Sequence, residues 1–331
     1  LSPAALRMPV LDGHDPEAID AAAARLADGD LVAFPTETVY GLGARADDDA
    51  AVAAIFAAKG RPADHPLIVH VVDAQAARRF CAAWPASAAQ LVEHLWPGPL
   101  TVVVPRAPAM AGVAAGGQGS IALRSPAHPV ARALLARAAA LGVPGVAAPS
   151  ANRFGRVSPT TAAHVRQEFG DAMLVLDGGA CPVGIESTIV DCTADPPALL
   201  RPGSVTRDDL AAVLGMPPAE PGAASPRAPG RLASHYAPSA PVRLLDPAAL
   251  ATAWARLDDA ARTTVAVYSR VAPAGATQFR RMPGDAAAVA HDLFAVLRAF
   301  DDAGAREIWV ERPPVGPDWD GVNDRLQRAA A

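Results

Sequence analysis

Lysine is almost missing from this chain. Of its 29 cationic side chains, 28 are arginine and one is lysine, Lys59. Arginine evidently serves wherever a positive charge is enough. The one surviving lysine therefore marks either a site where a compact ammonium is needed, or a chance survivor on a solvated helix end. Cysteine is also scarce. Cys81, Cys181 and Cys192 are too few and too irregularly spaced for a disulfide framework or a zinc site, which predicts reduced, buried thiols in a cytoplasmic setting. No apolar run approaches the ~20 residues of a membrane span, and Leu1 to Asp15 lacks the basic-then-apolar layout of a secretory signal. The expectation is a soluble, cytoplasmic protein with no membrane partner. An excess of positive charge is absent too: 29 basic against 34 acidic residues leave a net charge of −5. That argues against a protein that coats nucleic acid, although a local basic groove stays open.

What is present is material for a core. Hydrophobic residues make up 51% and charged ones 19% of 331 residues, enough for about two domains. Helical periodicity is predicted over Pro16–Leu26, Asp49–Lys59, Ala74–Ala83, Val130–Leu141, Thr160–Phe169 and Thr206–Leu214. Short buried strands alternate with them at Leu31–Phe34, Leu67–Val72, Leu100–Val104, Ile121–Arg124, Val146–Ala148, Leu174–Leu176 and Thr188–Asp191. This pattern predicts an α/β domain over residues 10–215 with a mixed sheet. Residues 216–241 are crowded with Pro, Gly and Ala and read as a linker. Residues 242–331 return to α/β periodicity and form a small second domain. Within the linker, Arg231–Pro238 carries a histidine and one of only three tyrosines. A pure spacer gains nothing from these, so the segment is expected to dock on something.

Several segments carry polar groups of a useful kind. Phe34–Ala44 follows a strand and packs Thr36, Glu37, Thr38 and Tyr40 ahead of two glycines, and strand ends of open α/β sheets are where ligands usually bind. The spacing Gly41, Gly43, Ala46 superficially matches a dinucleotide fingerprint, but Asp64 precedes its strand instead of ending it. Lys59-Gly60-Arg61 sets a compact and a forked cation around a glycine, a combination that suits a polyphosphate. A helix C-terminus attracting cations would look the same. Ser120 and Arg124 bracket a strand. Pro149–Thr160 leaves another strand with Ser150, Asn152 and Ser158, rich in donors for phosphate and ribose, though Ser158 to Thr160 also suits a helix cap. Glu186-Ser187-Thr188 and Arg201 complete the set. No hydrolase triad, no HExxH and no histidine cluster stands out.

In this order the stretches FPTETVYGLG (34–43), KGRPADHPLIVH (59–70), WPGPLTVVV (96–104), IALRSP (121–126), APSANRFGRVSPT (148–160), IESTIVD (185–191), RPG (201–203) and HYAP (235–238) resemble one family closely. It is the YrdC-like L-threonylcarbamoyladenylate synthase family in its long, two-domain form, and the resemblance covers about residues 10–331. It implies a twisted mixed β-sheet flanked by helices, then a linker folding over the active site and a small Rossmann-like domain. It also implies a reaction of L-threonine, bicarbonate (or CO₂) and ATP that gives threonylcarbamoyl-AMP and pyrophosphate, which a tRNA-modifying transferase complex then uses.

By the same resemblance, Lys59 and Arg61 would be catalytic. ATP would be held by Lys59, Arg61, His65, Ser120, Ser150, Asn152, Ser158, Arg201, His235 and Tyr236. Threonine would be held by Thr36, Thr38, His70, Arg124, Ala148 and Ser187. Mg²⁺ would be held mainly by the ATP phosphates, with no protein metal site. Two alternatives are an RNA-binding module that uses a basic concave face without catalysis, which net negative charge disfavours, and a carbamoyl-transfer domain that shares the fold.

Overall fold

The computed structural model describes residues 9–230 and 235–331. Residues 1–8 of the leading segment and 231–234 of the linker insert lie outside the described residues. The first domain contains β1 (Val10–Asp12), α1 (Pro16–Ala27), β2 (Val32–Phe34), β3 (Gly41–Arg45), α2 (Asp49–Lys59), β4 (Ile68–His70), α3 (Ala74–Ala77), α4 (Ala86–Leu95) and β5 (Leu100–Pro105). It continues with β6 (Ser120–Arg124), α5 (Pro129–Ala140), β7 (Val146–Ala147), α6 (Ala162–Phe169), β8 (Leu174–Asp177), β9 (Thr188–Asp191), β10 (Ala198–Arg201) and α7 (Arg207–Leu214). Its ten strands form one sheet, ordered β1-β8-β2-β3-β7-β4-β6-β5-β9-β10. Parallel pairs such as β4–β6 and β5–β9 alternate with antiparallel ones such as β4–β7 and β5–β6. The sheet is mixed, as the sequence predicts.

Side-chain alternation explains where the sheet stays open. Leu67, Val69, Ile121, Leu123, Val102, Val104, Val190 and Leu199 point to one face and pack on residues of α2, α4, α6 and α7. On the other face α1 and α5 cover only the β1 side, where Ile19, Leu26, Val130 and Leu134 meet Val32, Phe34, Val146 and Leu176. Further along, Ile68, Val103, Ala122, Ile189 and Leu200 pack instead against Ala228 of the linker. That half-face, floored by the sheet and roofed by the linker, holds the site. A strand-end position was expected; the cavity lies across the face of the central strands.

Some elements differ from the sequence reading. Gly41–Arg45 is a strand, not a polar loop, and its glycines serve close packing. A Cβ at Gly43 would lie 2.7 Å from Phe34 and from Val146. The helix expected over Ala74–Ala83 stops at Ala77 and tightens into a 3₁₀ turn at Arg78–Phe80. The short edge strands β1 and β10 and helix α4 carry no strong periodicity and were not predicted. The pairing of β10 with β9 shifts register between Leu199 and Arg201. This irregularity lets successive residues Leu200 and Arg201 both serve the linker-covered face.

The second domain contains β11 (Val242–Leu245), α8 (Pro247–Ala255), α9 (Asp259–Arg262), β12 (Val265–Ser269), β13 (Gln278–Arg281), α10 (Ala286–Asp302), β14 (Glu307–Glu311) and α11 (Asp320–Ala329). Its sheet is all parallel, ordered β11-β14-β12-β13, with β13 unpredicted. Its core runs on into the first domain and the linker, because Val39, Val157, Ile185 and Tyr236 pack with Leu293, Phe294, Leu297 and Leu326.

Candidate active site

Pro35 ends β2, and Thr36 then builds a tight turn. Its Oγ1 accepts from the backbone N–H groups of Thr38 and Val39 and donates to Val39 O at 2.7 Å. Thr38 Oγ1 lies 2.8 Å from Thr36 Oγ1 and accepts from Arg124 Nη1 at 2.8 Å. Arg124, the last residue of β6, also donates to Gly98 O and pairs through Nη2 with Glu37 Oε1 at 2.7 Å. Burial alone would raise the Glu37 pKa, but Arg124 outweighs it and holds the carboxyl below its usual range. The guanidinium is thus held by three partners at the cavity wall.

Lys59 is not a solvated helix end. It is 3% exposed, and its ammonium donates to Ser150 O at 2.6 Å and, in a very short contact, to Asn152 O. A compact three-donor cation bracing two carbonyls of one loop is a role that a planar fork fills poorly. Burial, then the nearby Arg61, pushes its pKa well down. Arg61 follows the left-handed Gly60 cap (φ +63°), donates to Pro66 O at 3.0 Å, and has its pKa lowered to about 10 by burial. Arg201 donates twice to Ser187 O, at 2.8 and 3.0 Å, and to Ser187 Oγ at 3.2 Å.

These groups surround two joined chambers. The inner one, about 50 Å³, is lined by Thr36, Thr38, Arg61, His70, Arg124, Ala148, Ser150, Ser187, Arg201, His235 and Tyr236, together with Val39, Gly41, Ile68, Pro149, Glu186, Pro229 and Gly230. The outer one, about 250 Å³, shares Arg61, Pro229, Gly230 and His235 with it and adds His65, Pro66, Phe154 and linker residues Ser225–Ala228. Four buried polar atoms on these walls have no partner among the described residues: Arg61 Nε, His70 Nδ1, His235 Nδ1 and Tyr236 Oη. Native interiors rarely leave such groups unpaired, so their convergence on one cavity points to a polar ligand.

Of the predicted site residues, the structure brings twelve to these walls. Lys59, Asn152 and Ser158 sit just behind them. Lys59 and the Asn152 amide, which donates to Arg153 O and Arg156 O, brace the loop; Ser158 Oγ bonds Glu186 Oε1. Ser120 is not brought in. It starts β6 at the opposite end from Arg124 and lines neither chamber. Glu37 and Glu186 carry no assigned role in the sequence reading, and the linker stretch 225–230 carries no signal there. The two acids stood in quoted motifs, but nothing in the sequence says that they are buried against arginines.

The linker docks by backbone and rings. Gln118 and Arg227 exchange two bonds, Arg227 N to Gln118 Oε1 at 2.8 Å and Gln118 Nε2 to Arg227 O at 3.2 Å, and Arg227 pairs with Asp64. His235 N donates to Arg328 O of α11. Phe154, His235, Tyr236 and Phe294 form a chain of ring contacts. Tyr236 adopts φ +62°, a strained backbone for a bulky residue that this packing offsets. Gly230 (φ +79°) lies so close that a Cβ would be 2.3 Å from Tyr236 Oη and 3.0 Å from Arg201 Nη1. Gly230→Ala should therefore release the linker. Amide exchange along residues 225–230 is expected to quicken at least about tenfold, since left-handed backbone alone costs alanine ~1–2 kcal/mol. Unchanged exchange would contradict this packing.

Burial also keeps both inner imidazoles neutral. His70, near Arg124 and Glu37, and His235, near Glu186, Arg61, Lys59 and Arg201, are each lowered to about 3. Between their unfolded pKa of about 6.5 and that value the unfolded chain binds more protons, so stability is full above pH ~6.5 and falls as the solution is acidified toward pH 3. Melting measured from pH 7.5 to 4.5 should show this decline, and His235→Gln should flatten part of it.

Residues 24–203 match the Sua5/YciO/YrdC family model, described as "Telomere recombination", and residues 205–331 match the Sua5 C-terminal model, described as "Threonylcarbamoyl-AMP synthase, C-terminal domain". The threonylcarbamoyl-AMP synthase of Pyrococcus abyssi is 44% identical over 231 residues, 68% of this chain and 67% of that protein. That of Bacillus subtilis is 42% identical over 242 residues, 71% and 68% of the two chains. The solved structure of P. abyssi Sua5 complexed with L-threonine superposes with a TM-score of 0.88 at 35% identity, over 98% of this chain and 97% of that one. With both family models matched in sequence, this chain belongs to the Sua5/YciO/YrdC family in its two-domain form.

Proposed function

We propose that the protein is an L-threonylcarbamoyladenylate synthase, which condenses L-threonine, bicarbonate or CO₂, and ATP. One observation carries the reading. Three buried arginines, Arg61, Arg124 and Arg201, and several unpartnered polar atoms converge on one cavity that also offers small apolar walls at Val39, Ile68 and Ala148. Such a site suits a small zwitterion with a short side chain next to a polyanion.

Threonine's amine adds to the carbon of CO₂ and loses a proton, giving a carbamate; from bicarbonate, that proton departs with the displaced hydroxide as water. A carbamate oxygen then attacks the α-phosphorus of ATP in line, and the bond to the bridging oxygen breaks as pyrophosphate departs. Such a displacement needs positioning and charge neutralisation more than a covalent nucleophile. Thr36, Thr38, His70, Arg124, Ala148 and Ser187 would hold threonine, with Arg124 on its carboxylate. Arg61 and Arg201 would neutralise phosphate charge. Ser150, held from behind by Lys59, with Asn152 and Ser158, would shape the nucleotide side, and His65 would line it. His235 and Tyr236 would exclude water from the labile carbamate and mixed anhydride. Mg²⁺ would travel on the triphosphate; among the described residues no three His, Cys, Asp or Glu side chains gather as a metal site.

Linker residues Pro229, Gly230 and His235 wall both chambers, so entry of a molecule as large as ATP would go with movement of the linker. The product would pass in the cytoplasm to a transferase that modifies tRNA. Among the described residues no helix is long and apolar enough to cross a membrane. Pyrophosphate release supplies the test. It is expected only when threonine, bicarbonate and ATP are all present, and release that does not depend on threonine would contradict the reading.

A further inference from the structure

Two arginines of the second domain cross into the first. Arg325, on α11, is 0% exposed. It donates from Nε to Glu186 Oε2 at 2.8 Å, from Nη2 to Glu186 O at 3.1 Å, and from Nη1 to Pro202 O at 2.9 Å and Asp324 Oδ2 at 2.7 Å. The residues next to its acceptors, Ser187 and Arg201, line the inner chamber and bond each other. The fit is close at the backbone as well, since a Cβ at Gly321 would lie 3.0 Å from Gly203 O. Arg298, on α10, donates to Ser158 O at 3.4 Å, in a very short contact to Val157 O, and to Glu168 Oε1 at 2.8 Å. Glu168 in turn accepts from Arg153 N at 3.0 Å. The Ser150–Ser158 loop is thus braced at its start by Lys59 and at its end by Arg298.

Burying a guanidinium is costly, and an apolar contact of the same shape would join two domains at least as firmly. What a buried fork gives that apolar packing does not is fixed geometry toward several acceptors at once. We propose that Arg325 and Arg298 are positioning residues for the reaction. Arg325 sets the Glu186–Ser187 and Arg201–Pro202 segments on the threonine side, and Arg298 sets the serine loop on the nucleotide side. The second domain is then part of the active site's scaffold, and each arginine governs a different substrate. The assignment of a substrate to each loop rests on the proposed function; the bracing of the loops does not.

Arg325→Lys and Arg298→Lys keep the charge while removing the fork, and an unchanged far-UV circular dichroism spectrum identifies variants that are folded. With pyrophosphate release as the readout, Arg325→Lys is expected to raise the KM for threonine about tenfold and leave that for ATP within about twofold. Arg298→Lys is expected to do the reverse. Equal losses of kcat with both KM values untouched would mean that the arginines only hold the domains together, and would overturn the proposal, as would wild-type constants. Hydrogen exchange on the same variants gives a readout that needs no turnover. Arg325→Lys should speed exchange at Thr188 and Gly203, and Arg298→Lys at Arg153–Ser158. If those changes appear while the unmodified enzyme releases no threonine-dependent pyrophosphate, the bracing stands and the functional reading fails. If exchange is unchanged in both, the bracing itself is wrong.

Discussion

Lys59→Arg is expected to lower threonine-dependent pyrophosphate release about a hundredfold, although it conserves charge. The ammonium reaches Ser150 O and Asn152 O from a position 3% exposed. A guanidinium is larger and planar, and it would have to displace the Pro149–Ser158 loop to enter. Shifts of about 1 Å in groups that place a reacting atom cost ~10²-fold. Every other cation in the chain is arginine, so this substitution asks directly why one position resisted. Turnover close to that of the unaltered enzyme would show that the loop does not depend on a compact cation.

Arg124→Met should have the second large effect, on binding and stability together. Its guanidinium reaches Glu37, Thr38 and Gly98 and is almost fully buried. Removing one partner of a buried pair costs about 3–5 kcal/mol, because the other charge stays behind, so the melting midpoint is expected to fall by roughly 10 °C. The KM for threonine should rise at least about a hundredfold. Adding Glu37→Gln in the same chain removes the stranded carboxylate and should restore most of the stability while threonine binding stays weak. Recovery of both by the second substitution would mean that Arg124 is a scaffold residue and not a carboxylate clamp.

The sequence was most informative where local chemistry is self-contained. Buried runs such as Leu100–Val104 fold as strands because four apolar residues in five leave no other place to go. The hydroxyl-rich segments around Thr36, Ser150 and Ser187 fall on one cavity. Less was legible where long-range packing overrides local preference. Gly41 and Gly43 weaken a strand pattern in isolation, yet β3 forms because Phe34 and Val146 occupy the space that a side chain would fill. Ser120 and Arg124 look alike as flanks of one strand, but only one end of β6 meets the cavity. Helix α11 reads as an ordinary amphipathic helix, and no spacing rule connects Arg325 to Glu186, 139 residues away. The second domain's share in the site was invisible for that reason.

The most direct measurement supplies the pure protein with ATP, L-threonine and isotope-labelled bicarbonate and follows the label. The account requires an adenylate with the label in a carbamoyl carbon between threonine's nitrogen and the α-phosphate, formed one for one with pyrophosphate. ATP cleavage without label in a threonine adduct, or RNA binding with no ATP consumed, would contradict it.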